Sequence, residues 1–399
     1  MNRIVAINTV NYGSTGNIMV NIAEYARDHG YAYTTFAEDG HAQKKGVPGH
    51  EFIGSWQEIR ISDFINTQTG NQGSLNILGT RKLLKRLDEI QPEIIHLHNL
   101  HSNFVNLELL FTYIKEKGIS TVWTMQDCWS FTGHCPYFSI IGCEKWKTGC
   151  YECPLYREYP KARIDKSKEL YEKKKRLFTG LPNNVLAAPT EWMKGLAAES
   201  FLKEYRAEVI PNFVDQTIFK PRESDFREKY HLQDKYLVLS VAFPFDQRKG
   251  ADRLIRIADQ LDDSYHIVIV GRTDITHPRI TCIGRTTDQI ELAKIYSACD
   301  LFVCASYLEA FGIVNIEALS CGLPVIVYKG SGGAEETIDS TCGILSDDSH
   351  DVEDIIKIRE SGLYTAEASL AFSRQFDKQV VLAQYVDLYR RMLGEKSNK

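Results

Sequence analysis

The stretch Asp300-Leu-Phe-Val-Cys-Ala-Ser306-Tyr-Leu-Glu309-Ala-Phe311-Gly312-Ile-Val-Asn-Ile-Glu317-Ala-Leu-Ser-Cys-Gly322-Leu-Pro324 decides the fold class. Asp300 to Ser306 is a short apolar run and reads as a buried strand. Gly312 to Leu319 follows a helical pattern, and Gly322-Leu-Pro324 ends it. Strand, loop and helix in this order form the unit of an open α/β sheet, which binds ligands in loops beyond the carboxyl ends of its strands. Glu309 falls in that loop, and Glu317 lies about two turns into the helix. An ionised carboxylate only accepts hydrogen bonds, so one at the mouth and one deeper suit a hydroxyl-rich ligand. Taken singly, either glutamate reads as an ordinary surface residue.

The same alternation extends in both directions. Short apolar runs at Ile4–Asn8, Ala32–Ala37, Ile94–His98, Ser120–Met125 and Asn184–Ala188 predict strands in the first half. Runs at Tyr236–Ala242, His266–Val270, Arg279–Ile283, Leu301–Ala305 and Pro324–Tyr328 predict strands in the second. Strands that are apolar throughout and separated by helices indicate parallel sheets covered on both faces. Two such series predict two doubly wound domains, with a linker at Val209–Pro221. Ala366–Leu393 reads as one long helix with Phe372, Phe376, Val380, Val381, Tyr385, Leu388 and Tyr389 on a recurring face.

The chain has 399 residues, 43% hydrophobic and 25% charged, with a net charge of −5. This is the composition of a water-soluble globular protein, without the basic signature of nucleic-acid binding. No apolar run approaches membrane-spanning length, and the first residues read as a strand rather than a signal peptide. A cytoplasmic location is expected.

Three features suit a diphosphate that leaves with developing negative charge. Gln247-Arg248-Lys249-Gly250 sets two cations between a strand and a helix, Arg for bidentate contacts and Lys as a point charge; a solvated basic turn is the plainer reading. Gly13-Ser14-Thr15-Gly16 follows the first strand and opens a helix, a setting suited to anions and polar sugar groups. Gly330-Ser331-Gly332-Gly333 precedes Glu335 and Glu336, and its amides can approach phosphate.

Taken together, Glu309-x7-Glu317 with Phe311-Gly312 inside and Gly322-Leu-Pro324 behind closely resembles the nucleotide-sugar site of family 4 retaining glycosyltransferases. The resemblance runs from Gly13 to Glu336. It implies the GT-B fold: two Rossmann-like domains facing a cleft, here an acceptor-binding domain over 1–208, a donor-binding domain over 209–373, and a C-terminal helix over 374–399 returning to the first domain. It implies that Glu309 contacts the donor sugar and Glu317 the nucleotide ribose. Arg248 and Lys249 meet the phosphates, and Phe311, Gly312, Gly332, Gly333 and Asn212 line the donor side. Gly13, Ser14, Thr15 and Gly16 form an acceptor-side loop. The loop Ser240–Gly250 looks like that of capsule and exopolysaccharide enzymes. No catalytic metal is expected.

The run Ile94-Ile-His96-Leu-His98-Asn99-Leu-His101 lacks an evident acidic partner for a metal site; the family carries His-x-His here, which implies a substrate-facing His98. After the next strand the family commonly shows His-Asp, whereas this chain has Gln126-Asp127. Glutamine can hydrogen-bond a sugar or phosphate but cannot transfer a proton. A front-face retaining reaction, in which the leaving phosphate takes the acceptor's proton, tolerates that change; His134 is a candidate substitute.

Cys135, Cys143, Cys150 and Cys153 lie in one loop, 128–154, and Cys150-x2-Cys153 has metal-knuckle spacing. Spacing leaves structural zinc, two disulfides and four free thiols open. This loop also occurs in the colanic-acid and capsule branch of the family. From Lys161 to Phe178, eight Lys or Arg stand against three acids, interleaved with Leu170, Tyr171, Leu177 and Phe178. A solvated charged helix and a basic amphipathic helix on anionic lipid both fit this pattern. The family's lipid-linked acceptors favour lipid, and with it a peripheral position on the inner face of the cell membrane.

The expectation is therefore a retaining glycosyltransferase with a nucleotide-sugar donor, a UDP-sugar by frequency, and a glycan or polyprenyl-diphosphate-linked acceptor. It serves capsule, exopolysaccharide or O-antigen synthesis. A nucleotide-sugar hydrolase or phosphorylase-like enzyme and a non-catalytic nucleotide-sugar-binding subunit are the rival readings.

Overall fold

A computed structural model describes residues 1–40, 45–243, 245 and 247–394. The chain divides into two compact units, one of Met1–Ile210 with the residues from Leu382 onward, the other of Pro211–Val381.

In the first unit the strands are β1 (Arg3–Ile7), β2 (Ala32–Glu38), β3 (His50–Ile53), β4 (Ile94–Leu97), β5 (Ser120–Thr124), β6 (Asn184–Ala188) and β7 (Arg206–Val209). They form one seven-stranded sheet in the order β3-β2-β1-β4-β5-β6-β7. Every pairing is parallel. The helices are α1 (Gly13–Asp28), α2 (Trp56–Thr69), α3 (Ile77–Ile90), α4 (Leu107–Lys117), α5 (Ser167–Phe178) and α6 (Glu191–Glu199). Strand order reverses between β1 and β4, so the loops after those two strands flank a topological switch point, where such sheets bind ligands.

The second unit carries β8 (Tyr236–Val241), β9 (Tyr265–Val270), β10 (Ile280–Ile283), β11 (Leu301–Cys304), β12 (Val325–Tyr328) and β13 (Gly343–Ser346). Its six-stranded sheet runs β10-β9-β8-β11-β12-β13, again parallel. Its switch point lies between β8 and β11. The helices are α7 (Phe226–Lys229), α8 (Ala251–Gln260), α9 (Gln289–Ala298), α10 (Ile313–Ser320), α11 (Asp351–Ser361), α12 (Ala366–Ser373) and α13 (Lys378–Met392). One apolar core fills the side of this sheet under α9 and α10, including Phe302, Val325, Ile316 and Phe376. A second core lies under α8 and α11, with Leu254, Ile257, Ile355 and Tyr328.

Three strands, β3, β7 and β13, are absent from the sequence expectation. All three are sheet edges. Their residues His-Glu-Phe-Ile, Arg-Ala-Glu-Val and Gly-Ile-Leu-Ser are only partly buried, so they lack the continuous apolar signature of inner strands.

The single helix expected over Ala366–Leu393 is interrupted. Phe376 O accepts from Val214 N (3.0 Å), and Lys378 N donates to Val214 O (3.0 Å), which pulls Asp377 into extended backbone. Asp377 then caps α13 through Gln379 N (2.8 Å). From Leu382 onward α13 belongs to the first unit. There Tyr389 and Tyr385 are buried, and their hydroxyls meet His96 Nδ1 (2.7 Å) and Thr124 Oγ1 (3.2 Å). The residues after Gly394 lie outside the described ones.

Candidate active site

In the second unit the loops after β8 and β11 converge. Gly250, which opens α8, sits so close to the end of β11 that a Cβ would stand 2.0 Å from Ala305 O, and its φ is +75°. Only glycine meets both demands. The loop after β11 is held by Arg253, which lies between the rings of Tyr307 and Tyr328, 3.9 Å from each. Its Nη1 donates to Ala305 O (3.0 Å), while Nε and Nη2 grip Asp348 (2.7 and 2.9 Å).

On this frame Lys249 Nζ forms an ion pair with Glu309 Oε1, and both side chains are mostly buried. Glu309 N donates to Ser331 O, and Gly333 N donates to Glu309 O, each at 2.9 Å. Four of the expected donor-side residues, Lys249, Glu309, Gly332 and Gly333, are therefore in one cluster. Gly332 and Gly312 both have positive φ, and Gly312 caps α10. Arg248 stands beside the cluster, its carbonyl accepting from Tyr307 N (3.1 Å). Pro244 and Asp246, within the expected Ser240–Gly250 loop, lie outside the described residues.

Glu317 projects from α10 toward α9, where Tyr296 Oη–H donates to its Oε2 (3.0 Å). Burial pushes its carboxyl up to about 7, against the opposing effect of that hydrogen bond. Asn212 is half-buried at the start of this unit. Phe311 is a core residue: it is buried, with its ring 5.7 Å from that of Phe376. It fixes the loop from beneath and is not open to a ligand.

In the first unit the loops after β1 and β4 are stitched together. Thr9 Oγ1 donates to Asn99 O (3.0 Å) and His101 O (2.9 Å), and Asn99 N donates to Asn8 Oδ1 (3.1 Å). Gly13 opens α1 at positive φ. A Cβ on Gly16 would meet Asn11 C at 2.5 Å, so Gly16 allows the loop to close on the helix. Ser14 is exposed and Thr15 half-buried.

His98 and Gln126 line one small cavity with His101, Asp127 and Trp129. His98 is 1% exposed, and among the described residues neither ring nitrogen has a partner; Gln126 Nε2 is likewise buried and unpartnered among them. Burial holds the His98 imidazole at about 3, so it is neutral at physiological pH. Such unpaired atoms cost on the order of 1–3 kcal/mol each, and a hydroxyl-bearing ligand relieves that cost. His96, by contrast, is a core residue whose nitrogens are taken by Tyr389 and Thr124. His134 is also buried. Its Nδ1 lies 3.0 Å from Gln72 Nε2, and burial lowers it to about 4.

Sequence reasoning missed the neighbours that shape this cavity. His101 Nε2 meets Asp127 Oδ2 (3.2 Å), and its Nδ1 meets Tyr159 Oη (2.9 Å). His101 was visible in the histidine run, but nothing in the sequence joined it to Tyr159.

Cys135, Cys143, Cys150 and Cys153 do line one cavity. All four are free cysteines, which excludes the disulfide alternative in this structure. Burial pushes the Cys150 thiol up to about 11. Among the described residues no group of three or more His, Cys, Asp or Glu is placed to hold a metal ion, so structural zinc gains no support.

The apolar residues of the basic segment are not available for the expected insertion into a membrane. Leu170, Tyr171, Leu177 and Phe178 on α5 are buried. Lys174 is 1% exposed, its Nζ donating to Trp129 O (2.7 Å) and Thr132 O (3.1 Å) over the Trp129 ring. Lys173 Nζ donates to Ser74 Oγ (2.7 Å), and Arg176 pairs with Glu108. The helix uses its apolar face and several of its charges for packing.

Comparison with known proteins bears on both units. The family model described as "Glycosyltransferase Family 4" matches residues 15–217, and "Glycosyl transferases group 1" matches 221–360. The putative colanic acid biosynthesis glycosyl transferase WcaC of Escherichia coli K12 is 27% identical over 320 residues, 75% of this chain and 77% of that protein. A Campylobacter jejuni enzyme, N,N'-diacetylbacillosaminyl-diphospho-undecaprenol alpha-1,3-N-acetylgalactosaminyltransferase, is 24% identical over 42% of this chain and 48% of its own length. Among solved structures, Anabaena HepE in complex with UDP superposes with a TM-score of 0.70 over 98% of this chain and 100% of its own, at 16% identity. That likeness is one of fold, the two parallel-sheet domains of the GT-B class. With a family model covering half the sequence, and two switch-point sites of the kind just described, the chain belongs to glycosyltransferase family 4.

Proposed function

We propose that this glycosyltransferase moves a sugar, with retention, from a UDP-sugar to a glycan or polyprenyl-diphosphate-linked acceptor in bacterial surface-polysaccharide synthesis, at the inner face of the cell membrane. The observation that carries the donor half is the cluster of Lys249, Glu309, Gly332 and Gly333 at the switch point of the second sheet. Arg248 and Lys249 with the α8 N-terminus meet the diphosphate charge. Glu309 accepts from donor-sugar hydroxyls and Glu317 from the ribose diol. In the unliganded protein Lys249 neutralises Glu309; bound phosphate takes up part of that cation and frees the carboxylate to accept.

The acceptor half rests on the neutral His98 ring, whose nitrogens have no partner among the described residues, and on the likewise unpartnered Nε2 of Gln126 in the first unit. Gln126 cannot act as a base, so its role is to orient the acceptor hydroxyl. The departing phosphate oxygen then takes the hydroxyl proton as the new glycosidic bond forms on the same face. The acceptor class is supported by the names of the E. coli and Campylobacter relatives, and the nucleotide by the UDP in HepE.

A thermal-shift screen over UDP-, GDP- and ADP-sugars tests the donor, because a ligand bound only by the folded state raises its apparent stability. Transfer to a lipid-linked acceptor, measured beside donor hydrolysis, tests the reaction. A shift with no transfer to any acceptor favours the binding-subunit reading, and release of free sugar alone favours hydrolysis.

A further inference from the structure

Helix α2 is turned inside out. Its buried positions are Ile59, Ser62 and Asn66, and both side-chain amide atoms of Asn66 lack a partner among the described residues, while its solvent face carries Ile61 (60% exposed), Phe64 (65%) and Ile65. Burying polar groups while exposing a contiguous apolar stripe reverses the usual pattern for a surface helix. The stripe continues onto α3. Glu58 Oε1 accepts from Leu78 N and Gly79 N (3.1 Å each), which sets the first turn of α3, with exposed Ile77 and Leu78, beside α2.

Cations frame this stripe. Arg60, Arg81, Lys82 and Lys85 are exposed. Among the described residues none of them sits in an ion pair; the ion pairs nearby are made by Arg86, to Glu51 and Glu89. The two acids of α2 are engaged elsewhere, Glu58 on the α3 amides and Asp63 with Asn103 Nδ2 (3.2 Å). On a chain of net charge −5, this apolar face is locally positive.

We propose that the α2–α3 face docks on an anionic lipid bilayer, with Ile61, Phe64 and Leu78 inserting shallowly and Arg60, Arg81, Lys82 and Lys85 meeting lipid phosphates. The combination commits the face to lipid: the unpaired cations ask for a dense anionic surface, and the apolar side chains for an adjoining apolar layer. The connection between the two helices leads from this surface to the acceptor-side cavity. Gln72 Oε1 accepts from Trp129 Nε1 (2.9 Å), and Gly73 N donates to Asn103 Oδ1 (3.0 Å). A lipid-linked acceptor held in the bilayer is thereby presented near His98 and Gln126, a consequence that rests on the proposed function; the docking does not.

The test is co-sedimentation of the full chain with vesicles of phosphatidylcholine alone and of phosphatidylcholine with phosphatidylglycerol, without donor or acceptor. Binding is expected to the anionic vesicles only, weakened by raised salt. Removing one charge weakens binding about fivefold, so the triple variant R81Q/K82Q/K85Q falls on the order of 100-fold. The double variant F64S/L78S also loses binding. These residues are solvent-exposed, so circular dichroism and UDP-induced thermal shifts stay as in the wild type. Equal vesicle binding by the wild type and the triple variant overturns the proposal, as does no binding to anionic vesicles. Lipid-free self-association abolished by F64S/L78S also overturns it, because the face then serves a second copy. Vesicle binding requires no turnover, so its failure is separable from failure of the catalytic reading.

Discussion

Replacing Glu317 by Gln separates stability from function at one side chain. In the folded protein burial raises its carboxyl to about 7, against an ordinary value of 4.5. Between these values the folded state holds a proton that the unfolded state has released. Stability therefore falls as pH rises from 4.5 to 7, and above that range the ionised carboxylate costs about 3 kcal/mol. Glutamine keeps an acceptor for Tyr296 Oη–H and removes the charge. At pH 8 the variant should gain about 1–2 kcal/mol after the cost of its new buried amide, or about 1–2 °C in Tm at this chain length. At pH 5 the two proteins should melt within a degree or so of each other, since Glu317 is then protonated. UDP should reverse the ranking at pH 8: a charged acceptor for the ribose diol is lost, weakening binding about 10- to 100-fold. In the wild type, UDP affinity should rise with pH toward 7, because the diol favours the ionised carboxylate. The assay is thermal unfolding with and without UDP at pH 5 and pH 8, beside titration calorimetry. A variant no more stable than wild type at pH 8, or one that binds UDP equally well, refutes the reasoning.

The other substitutions act at the same site. Glu309→Ala and Arg248→Ala should each lower turnover on the order of 10²–10³-fold with unchanged circular dichroism, as expected for one charge-stabilising group; wild-type rates in both would remove the cluster from catalysis. Gly250→Ala should destabilise the second unit by more than about 1 kcal/mol and weaken UDP binding, since its Cβ meets Ala305 O at 2.0 Å and its φ is positive; a neutral Tm would contradict this. Activity should survive EDTA if Arg248, Lys249 and backbone amides meet the phosphate charge as proposed, and a strict need for added Mg²⁺ or Mn²⁺ would contradict that assignment.

The inner strands and both switch-point loops were legible because continuous apolar runs and glycine-bearing loops are local features. Three of the four edge strands were not: with one side unpaired, β3, β7 and β13 tolerate mixed residues and carry no clear period, whereas the fourth, β10, kept a readable run over Arg279–Ile283. Lys249 and Glu309 were each visible, but their pairing across sixty positions is a tertiary fact, as is the clamp of Arg253 on Asp348. The basic segment misled for a physical reason. An amphipathic pattern marks an apolar face without saying what covers it, and α5 covers its own against the first unit's core. Conversely, α2 gave no warning, because a helix that buries Ser62 and Asn66 contradicts the pattern from which burial is read.

The central claim is that this protein transfers a sugar with retention from a nucleotide donor. Its most direct test is proton NMR of the product formed from a UDP-α-sugar and a lipid-linked or model glycan acceptor, without added metal and beside Glu309→Ala. The wild type should give an α-linked product, and the variant on the order of 10²–10³-fold less of it. A β-linked product, or equal product from both proteins, would contradict it.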